Sequence, residues 1–166
     1  NVTQNNAGVY AGVLQPSGLS STNYTITYAN GNYTITPAET LLVDVNNQNI
    51  TYGNTPIYVI DSVRYLDGQN VIHTLTQDSR NGNTYTYSDG VGGSATFTLT
   101  TNATSSSSNN LLVGNYSLIG ANFSKISNNF NNSPVYTGNL AVQQKALTAG
   151  TSSVSKVYDG SASMAN

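Results

Sequence analysis

Three landmarks in this chain recur at one spacing. Gly8-Val-Tyr10 returns as Gly114-Asn-Tyr116, and Asn49-Ile-Thr-Tyr-Gly-Asn54 as Ser155-Lys-Val-Tyr-Asp-Gly160, each 106 residues later. Gly31-Asn-Tyr-Thr-Ile35 returns as Gly138-Asn-Leu-Ala-Val142 after 107 residues. Self-similarity at a fixed period is the mark of tandem modules. In 166 residues this period leaves room for about one and a half units. The register divides the chain into the C-terminal part of one module over residues 1–38, a complete module over 39–147 and the start of a third over 148–166. Partial modules at both ends imply a longer natural protein, and the junctions near 37–40 and 144–148 are short enough to couple neighbours stiffly.

Within each unit the pattern is that of strands. Tyr24-Thr-Ile-Thr-Tyr28 and Tyr33-Thr-Ile-Thr36 alternate apolar and polar residues, with Asn30-Gly31 between them as a hairpin turn. Leu41-Leu-Val-Asp-Val45 is denser and reads as a strand covered on both faces. Further strands are expected at Ile57–Ile60, Val63–Leu66, Val71–Thr76 and Thr84–Tyr87, with turns at Asp67-Gly68, Asn81-Gly82 and Asp89-Gly90. In Ala95-Thr-Phe-Thr-Leu-Thr100, Ala95, Phe97 and Leu99 face one way and the threonines the other. No window carries helical periodicity. Leu140–Leu147, the best helical stretch, maps through the repeat onto a strand. The expected fold is all-β, built of tandem β-grasp-like or sandwich-like modules, elongated and essentially without helix. Asn102–Asn110 is low-complexity and reads as a flexible surface loop.

Composition narrows the partners. Charged residues are 7% of the chain, against about 25% in an average domain. The five Lys and Arg form no cluster that could track phosphates, so nucleic acid is excluded as a partner. No apolar run is long enough to cross a bilayer, so no membrane insertion is expected. No signal peptide is recognisable, and an export signal would lie outside this sequence. Cysteine is absent. In an Asn-, Thr- and Gly-rich β repeat, that suits a long bacterial surface protein that crosses an outer-membrane pore unfolded and uncrosslinked.

The chemistry-bearing residues are few. His73 is the single histidine; it reads as a structural, half-buried residue on a face shared with Val71 and Leu75. With no cysteine, no local zinc site can be built. Glu39, Asp44, Asp61, Asp67, Asp78, Asp89 and Asp159 are dispersed, several of them in turns that favour Asp for backbone reasons. Asp78-Ser-Arg-Asn-Gly-Asn83 has oxygen ligands around a glycine but lacks the acidic density of a calcium loop. No nucleophile elbow is present. The chain therefore reads as a non-enzyme with no cofactor and no metal. Asn23, Asn32, Asn49, Asn102, Asn115 and Asn122 stand in glycosylation sequons, as do Asn1 and Asn131. Their number is close to chance for this composition, so unmodified asparagine is the expectation. The twelve tyrosines read mainly as strand formers that fill a core without tryptophan, with sugar stacking as the alternative. No pattern supports an isopeptide bond at Lys125, Lys145 or Lys156.

The stretch Tyr24-Thr-Ile-Thr-Tyr-Ala-Asn-Gly-Asn-Tyr-Thr-Ile-Thr-Pro-Ala38 followed by Ile50-Thr-Tyr-Gly-Asn54 resembles MBG modules of the YGX type. Lys156-Val-Tyr-Asp-Gly160 is similar to the opening of a YDG module. The resemblance covers most of the chain, with residues 61–110 departing from shorter members as an insertion. Such modules occur in tandem in large filamentous-haemagglutinin-like adhesins. The resemblance implies an all-β stalk or binding array at the bacterial cell surface, extracellular, with no defined ligand. Three functions stay open: a stalk module that extends and presents a binding region, a lectin-like module that binds surface glycans through Tyr and Asn, and a self-assembling filament subunit. In the last, copies join head-to-tail by strand complementation. The expected partners are neighbouring modules of the same protein, copies of itself, and surface glycans.

Overall fold

The computed structural model describes residues 3–151, 153 and 155–160, with the backbone alone at Glu39 and residues 131–133. Among the described residues there are twelve strands and no helix. β1 (Gly8–Leu14) and β2 (Gly31–Ile35) form a two-stranded antiparallel sheet. The remaining strands are β3 (Ala38–Val45), β4 (Gln48–Thr51), β5 (Ile60–Leu66), β6 (Ile72–Thr74) and β7 (Thr76–Asn81). They continue through β8 (Thr84–Ser88), β9 (Ser94–Thr101), β10 (Gly114–Ile126), β11 (Phe130–Thr137) and β12 (Asn139–Gln143). These ten make a six-stranded sheet, β4-β12-β10-β9-β8-β7, and a four-stranded sheet, β11-β3-β5-β6.

The two larger sheets share one core. Leu41, Val43 and Val63 from the four-stranded sheet are buried with Tyr85, Phe97, Leu99, Leu118 and Leu140 from the six-stranded sheet. Phe97 meets Tyr136 edge-on across the layers, with ring centroids 5.5 Å apart. Two sheets closed over a common apolar layer form a sandwich. A β-grasp needs a helix across its sheet, so the sandwich form is the one adopted. The alternation read at Ala95–Thr100 is what builds it. Ala95, Phe97 and Leu99 are buried, while Thr96 and Thr98 face outward and bond to Thr86 and Thr84 on β8, each at 2.9 Å. Residues 61–110 are woven into both sheets through β5 to β9 and supply Val63, Leu75, Tyr85, Tyr87 and Phe97 to the core.

Two side-by-side arches join the sheets. β3 passes to β4 at Asn46-Asn47, and β11 passes to β12 at Gly138. The arches run in the same direction, so β11 pairs with β3 and β12 with β4 in parallel. Gly138 has φ 104°, a conformation open to glycine and strained for other residues. The corner is tied by Asn139 N–H donating to Asn47 Oδ1 at 2.8 Å and Thr137 Oγ1 to Asp44 Oδ1 at 3.0 Å.

The sequence repeat has a counterpart in strand pairing. In the two-stranded sheet Gly8 opposes Ile35, Val9 opposes Thr34 and Tyr10 opposes Tyr33. In the six-stranded sheet Gly114 opposes Val142, Asn115 opposes Ala141 and Tyr116 opposes Leu140. Each partner in the second set lies 106 or 107 residues after its counterpart in the first. In both copies the tyrosine two residues after the glycine turns its ring back over it.

Several local expectations are corrected. Tyr24–Tyr28 is not a strand, and Asn30-Gly31 carries no positive φ. Its counterpart through the repeat is β11, which is held as a strand by β3 alongside; among the described residues Tyr24–Tyr28 has no such neighbour, and alternation without a partner leaves the ladder groups unpaired. Ile57–Val59 precedes the strand, which begins at Ile60. Val71–Thr76 is split between β6 and β7, in different sheets. β3 is buried on one face only; its other face carries Asp44, paired with Arg64 at 2.6 Å. The Asp67-Gly68 turn is present, but the left-handed residue is Asn70, with φ 63°. Leu140–Leu147 is strand only as far as Gln143. Asn102–Asn110 is a loop organised by its own hydrogen bonds, with Ser106 N–H donating to the Asn110 carbonyl and a bridge from Ser105 to Leu111.

Candidate functional site

Three turns converge where the two-stranded sheet meets the sandwich. Between β8 and β9, Asp89 Oδ1 accepts hydrogen bonds from Val91 N–H at 2.9 Å and Gly93 N–H at 2.8 Å, which leaves Oδ2 facing outward from the turn. Asn129, before β11, fills that position: its Nδ2 donates to Asp89 Oδ2 at 2.7 Å and to Asn6 Oδ1 at 2.9 Å. Asn129 Oδ1 accepts from Ala7 N–H at 2.8 Å, and its carbonyl accepts from Ala38 N–H at 2.7 Å. One asparagine thus uses both ends of its amide and its carbonyl to hold the start of β1, the start of β3 and the β8–β9 turn. Gly93 is required beside it, because a Cβ there would overlap Asp89 Oδ2 and crowd Asn129 Nδ2.

Above this clamp lies an open cleft of about 630 Å³. Tyr65, Asp67, Asn70, Asp89 and Asn129 line it, with Pro37 and Phe130. Asp67 is fixed by its own turn, where Oδ1 accepts from Gln69 and Val71 N–H at 2.9 Å. Asp67 Oδ2 meets His73 Nε2 at 2.9 Å. The His73 hydrogen bond, then that of Val71, holds the Asp67 carboxyl below the usual carboxylate range. His73 stacks on Tyr65, its cross-strand partner, at 5.1 Å between ring centroids. The expectation of a half-buried His73 on one face with Val71 and Leu75 is therefore corrected. Its strand is exposed, Val71 is exposed, and Leu75 alone enters the core. Burial and the carboxylates of Asp89 and Asp67 raise the Tyr65 phenol.

The other sequence candidates are dispersed. Asn23, Asn32, Asn49, Asn102, Asn115 and Asn122 are exposed, and only Asn115 and Asn122 share an element, β10. Two of them are tied to neighbours through Oδ1: Asn32 accepts from Gly12 N–H, and Asn102 from Ser117 N–H, both at 3.0 Å. Asn1 lies outside the described residues, as do the side chain of Asn131 and residues 152, 154 and 161–166 of the third segment. Asp78–Asn83 is the end of β7 and its hairpin turn rather than a curled loop, and Asp78 Oδ1 accepts from Ser88 Oγ at 3.0 Å. Among the described residues no three His, Asp or Glu side chains gather to hold a metal. Lys125 Nζ donates to the Phe130 carbonyl, and Lys156 pairs with Asp159 at 2.8 Å.

The tyrosines divide by depth. Tyr58, Tyr85 and Tyr87 are core residues, and Tyr24, Tyr28, Tyr33 and Tyr158 are exposed. Tyr136 lies between these extremes. Burial pushes its phenol up to about 12, and its hydroxyl is enclosed with no hydrogen-bond partner among the described residues.

No family model matches the chain, and no curated protein or solved structure is significantly similar to it.

Proposed function

We propose that this chain is a structural stalk module of a bacterial cell-surface adhesin of the MBG and YDG type, one unit of an extracellular array that extends and presents a binding region. The observation that carries this reading is the repeated pairing register, Gly8 with Ile35 and Gly114 with Val142. Two units that share this register over three residue pairs, joined by the few residues between β2 and β3, make a rod segment. Asn129 adds polar bonds across that joint, to Ala7 and Asn6. The work of such a module is mechanical and needs no catalytic group.

Small-angle scattering tests the proposal. A compact chain of this length has a radius of gyration of about 15 Å. A clearly larger radius with a skewed distance distribution is expected, and a compact value overturns the stalk reading.

A lectin-like role is the second reading, favoured by the cleft in which Tyr65 stands among Asp67, Asn70, Asp89 and Asn129. An aromatic ring edged by carboxylates and amides suits a neutral saccharide. Glycan-array binding that disappears in Tyr65→Ala supports it, and an array without signal removes it.

A further inference from the structure

We propose that the cleft beside the two-stranded sheet binds an oligosaccharide that carries free amines, with Asp67 and Asp89 holding an ammonium group and Asn70 reading a neighbouring hydroxyl. The inference rests on the lectin-like reading of the cleft and narrows its ligand by charge, setting the amino form of a sugar above the neutral one.

Twin turns present the two carboxylates. In each, the Asp Oδ1 accepts from the N–H groups two and four residues on: Gln69 and Val71 for Asp67, Val91 and Gly93 for Asp89. In each, the Asp N–H closes the turn on a carbonyl, that of Val71 or Gly93. Oδ2 then meets a single side-chain nitrogen, His73 Nε2 at Asp67 and Asn129 Nδ2 at Asp89. A carboxylate has about four acceptor sites, so each Oδ2 keeps one for a ligand. Both Asp residues line the cleft. Their fields also meet there: after burial itself, Asp89 and then Asp67 raise the phenol of Tyr65, a third lining residue. None of the five Lys and Arg lines the cleft. Two acceptor-only charges around one space select a positively charged donor that both can share.

The turns differ at one position. The residue three after the Asp has a positive φ in both, 63° at Asn70 and 104° at Gly92. Gly92 shows that the turn itself asks only for a backbone that tolerates this conformation. Asn70 carries a side chain there. It lines the cleft, and its amide makes no hydrogen bond to another described residue. An amide donates and accepts, which matches a sugar hydroxyl. Tyr65, Leu66 and Phe130 supply apolar lining for the C–H face of a ring. A volume of about 630 Å³ suits a short saccharide and far exceeds a single ion.

Calorimetric titration of the complete 166-residue chain tests the proposal at pH 7 with three probes: a glucosamine oligomer, its fully N-acetylated form and an oligolysine. The glucosamine oligomer should bind about tenfold more tightly than the N-acetylated form, as two partly solvated ion pairs allow. Added salt should narrow that ratio. Asp67→Asn preserves the size and the turn acceptor, and should lower the ratio to about threefold. Asn70→Gly preserves the left-handed backbone and should weaken both sugars alike, by about fivefold, the loss of one hydrogen bond. Neither side chain belongs to the core, so both variants should unfold at close to the parent's temperature. The proposal is overturned by an N-acetylated form that binds as tightly as the amine, by an oligolysine that matches the glucosamine oligomer, by a ratio unchanged in Asp67→Asn, or by a parent that binds neither sugar. The lectin-like reading is judged separately, on the glycan array and Tyr65→Ala: binding of neutral glycans with no preference for amines overturns this inference alone.

Discussion

The side-chain amide of Asn129 donates to the Asp89 carboxylate across 2.7 Å, and its Oδ1 accepts from Ala7 N–H, which joins the start of β1 to the sandwich. Hydrogen bonds to a charged group contribute about 1.5–3 kcal/mol, and the partner left behind loses its solvation as well. Asn129→Ala should therefore destabilise the chain by about 2 kcal/mol. The more specific outcome is local. Amide exchange at Ala7 should accelerate strongly, because its acceptor is removed, while exchange at Phe97 in the core should change only with global stability. Uniform acceleration across all amides would show that Asn129 acts as an ordinary stabilising residue and not as a clamp.

Tyr136 packs its ring against Gly120 so closely that a Cβ on Gly120 would lie inside the ring's van der Waals surface. Gly120→Ala should cost about 3 kcal/mol, the upper range for overpacking a formed core. The cause is checked by a double-mutant cycle. In a Tyr136→Leu background the same Gly120→Ala change should cost much less, with a coupling of 1 kcal/mol or more, as expected for residues in contact. Additive effects would mean that Tyr136 is not the obstacle.

The parts of the structure that the sequence discloses are those governed by local pattern. Ala95, Phe97 and Leu99 alternate with threonine because one face of β9 is buried and the other wet, and the period of two follows directly. Tyr24–Tyr28 alternates as cleanly and is no strand, because a strand also needs a neighbour and none pairs with it among the described residues. Asn129 carried no signal at all. Its partners Asp89 and Asn6 lie 40 and 123 residues away in sequence, and one Asn in an Asn-rich chain looks like any other. His73 stands out in the sequence for its chemistry, but its environment depends on the β5–β6 hairpin, which sets it opposite Tyr65 and within reach of Asp67. The repeat is the exception among long-range features: it was visible in the sequence as an offset, and the pairing of Gly8 with Ile35 and Gly114 with Val142 gives that offset a geometry.

The enclosed hydroxyl of Tyr136 predicts a response to alkali. Its folded pKa, about 12, lies above the unfolded value of 10.0. Between these values the unfolded chain has released a proton that the folded chain retains, so stability is complete below pH 10 and falls as the pH rises toward 12. Tyr58, Tyr85 and Tyr87, also raised by burial, act in the same direction. Tyr136→Phe removes the hydroxyl that has no partner among the described residues, so the variant should be as stable as the parent at pH 7 or more stable by about 1 kcal/mol. It should also lose less stability between pH 10 and 12 in urea titrations. A variant whose alkaline loss matches that of the parent would assign the effect to the other tyrosines.

Gly138 and Gly31 occupy corresponding positions in the repeat, yet their surroundings differ, which allows one to serve as control for the other. Gly138 turns the chain from one sheet to the other at φ 104°. A Cβ there would run into the Val45 carbonyl of the neighbouring arch, which is backbone and cannot swing aside. Strain in the dihedral and the collision together should make Gly138→Ala cost about 3 kcal/mol. Gly31 has no positive φ, and its Cβ would meet the Leu14 side chain at 3.4 Å, an ordinary contact. Gly31→Ala should therefore fall within about 0.5 kcal/mol of the parent, the range of surface substitutions. Urea midpoints at unchanged m-value provide the measurement. Equal effects at the two sites would mean that the arch at Gly138 is not the constrained corner its geometry describes.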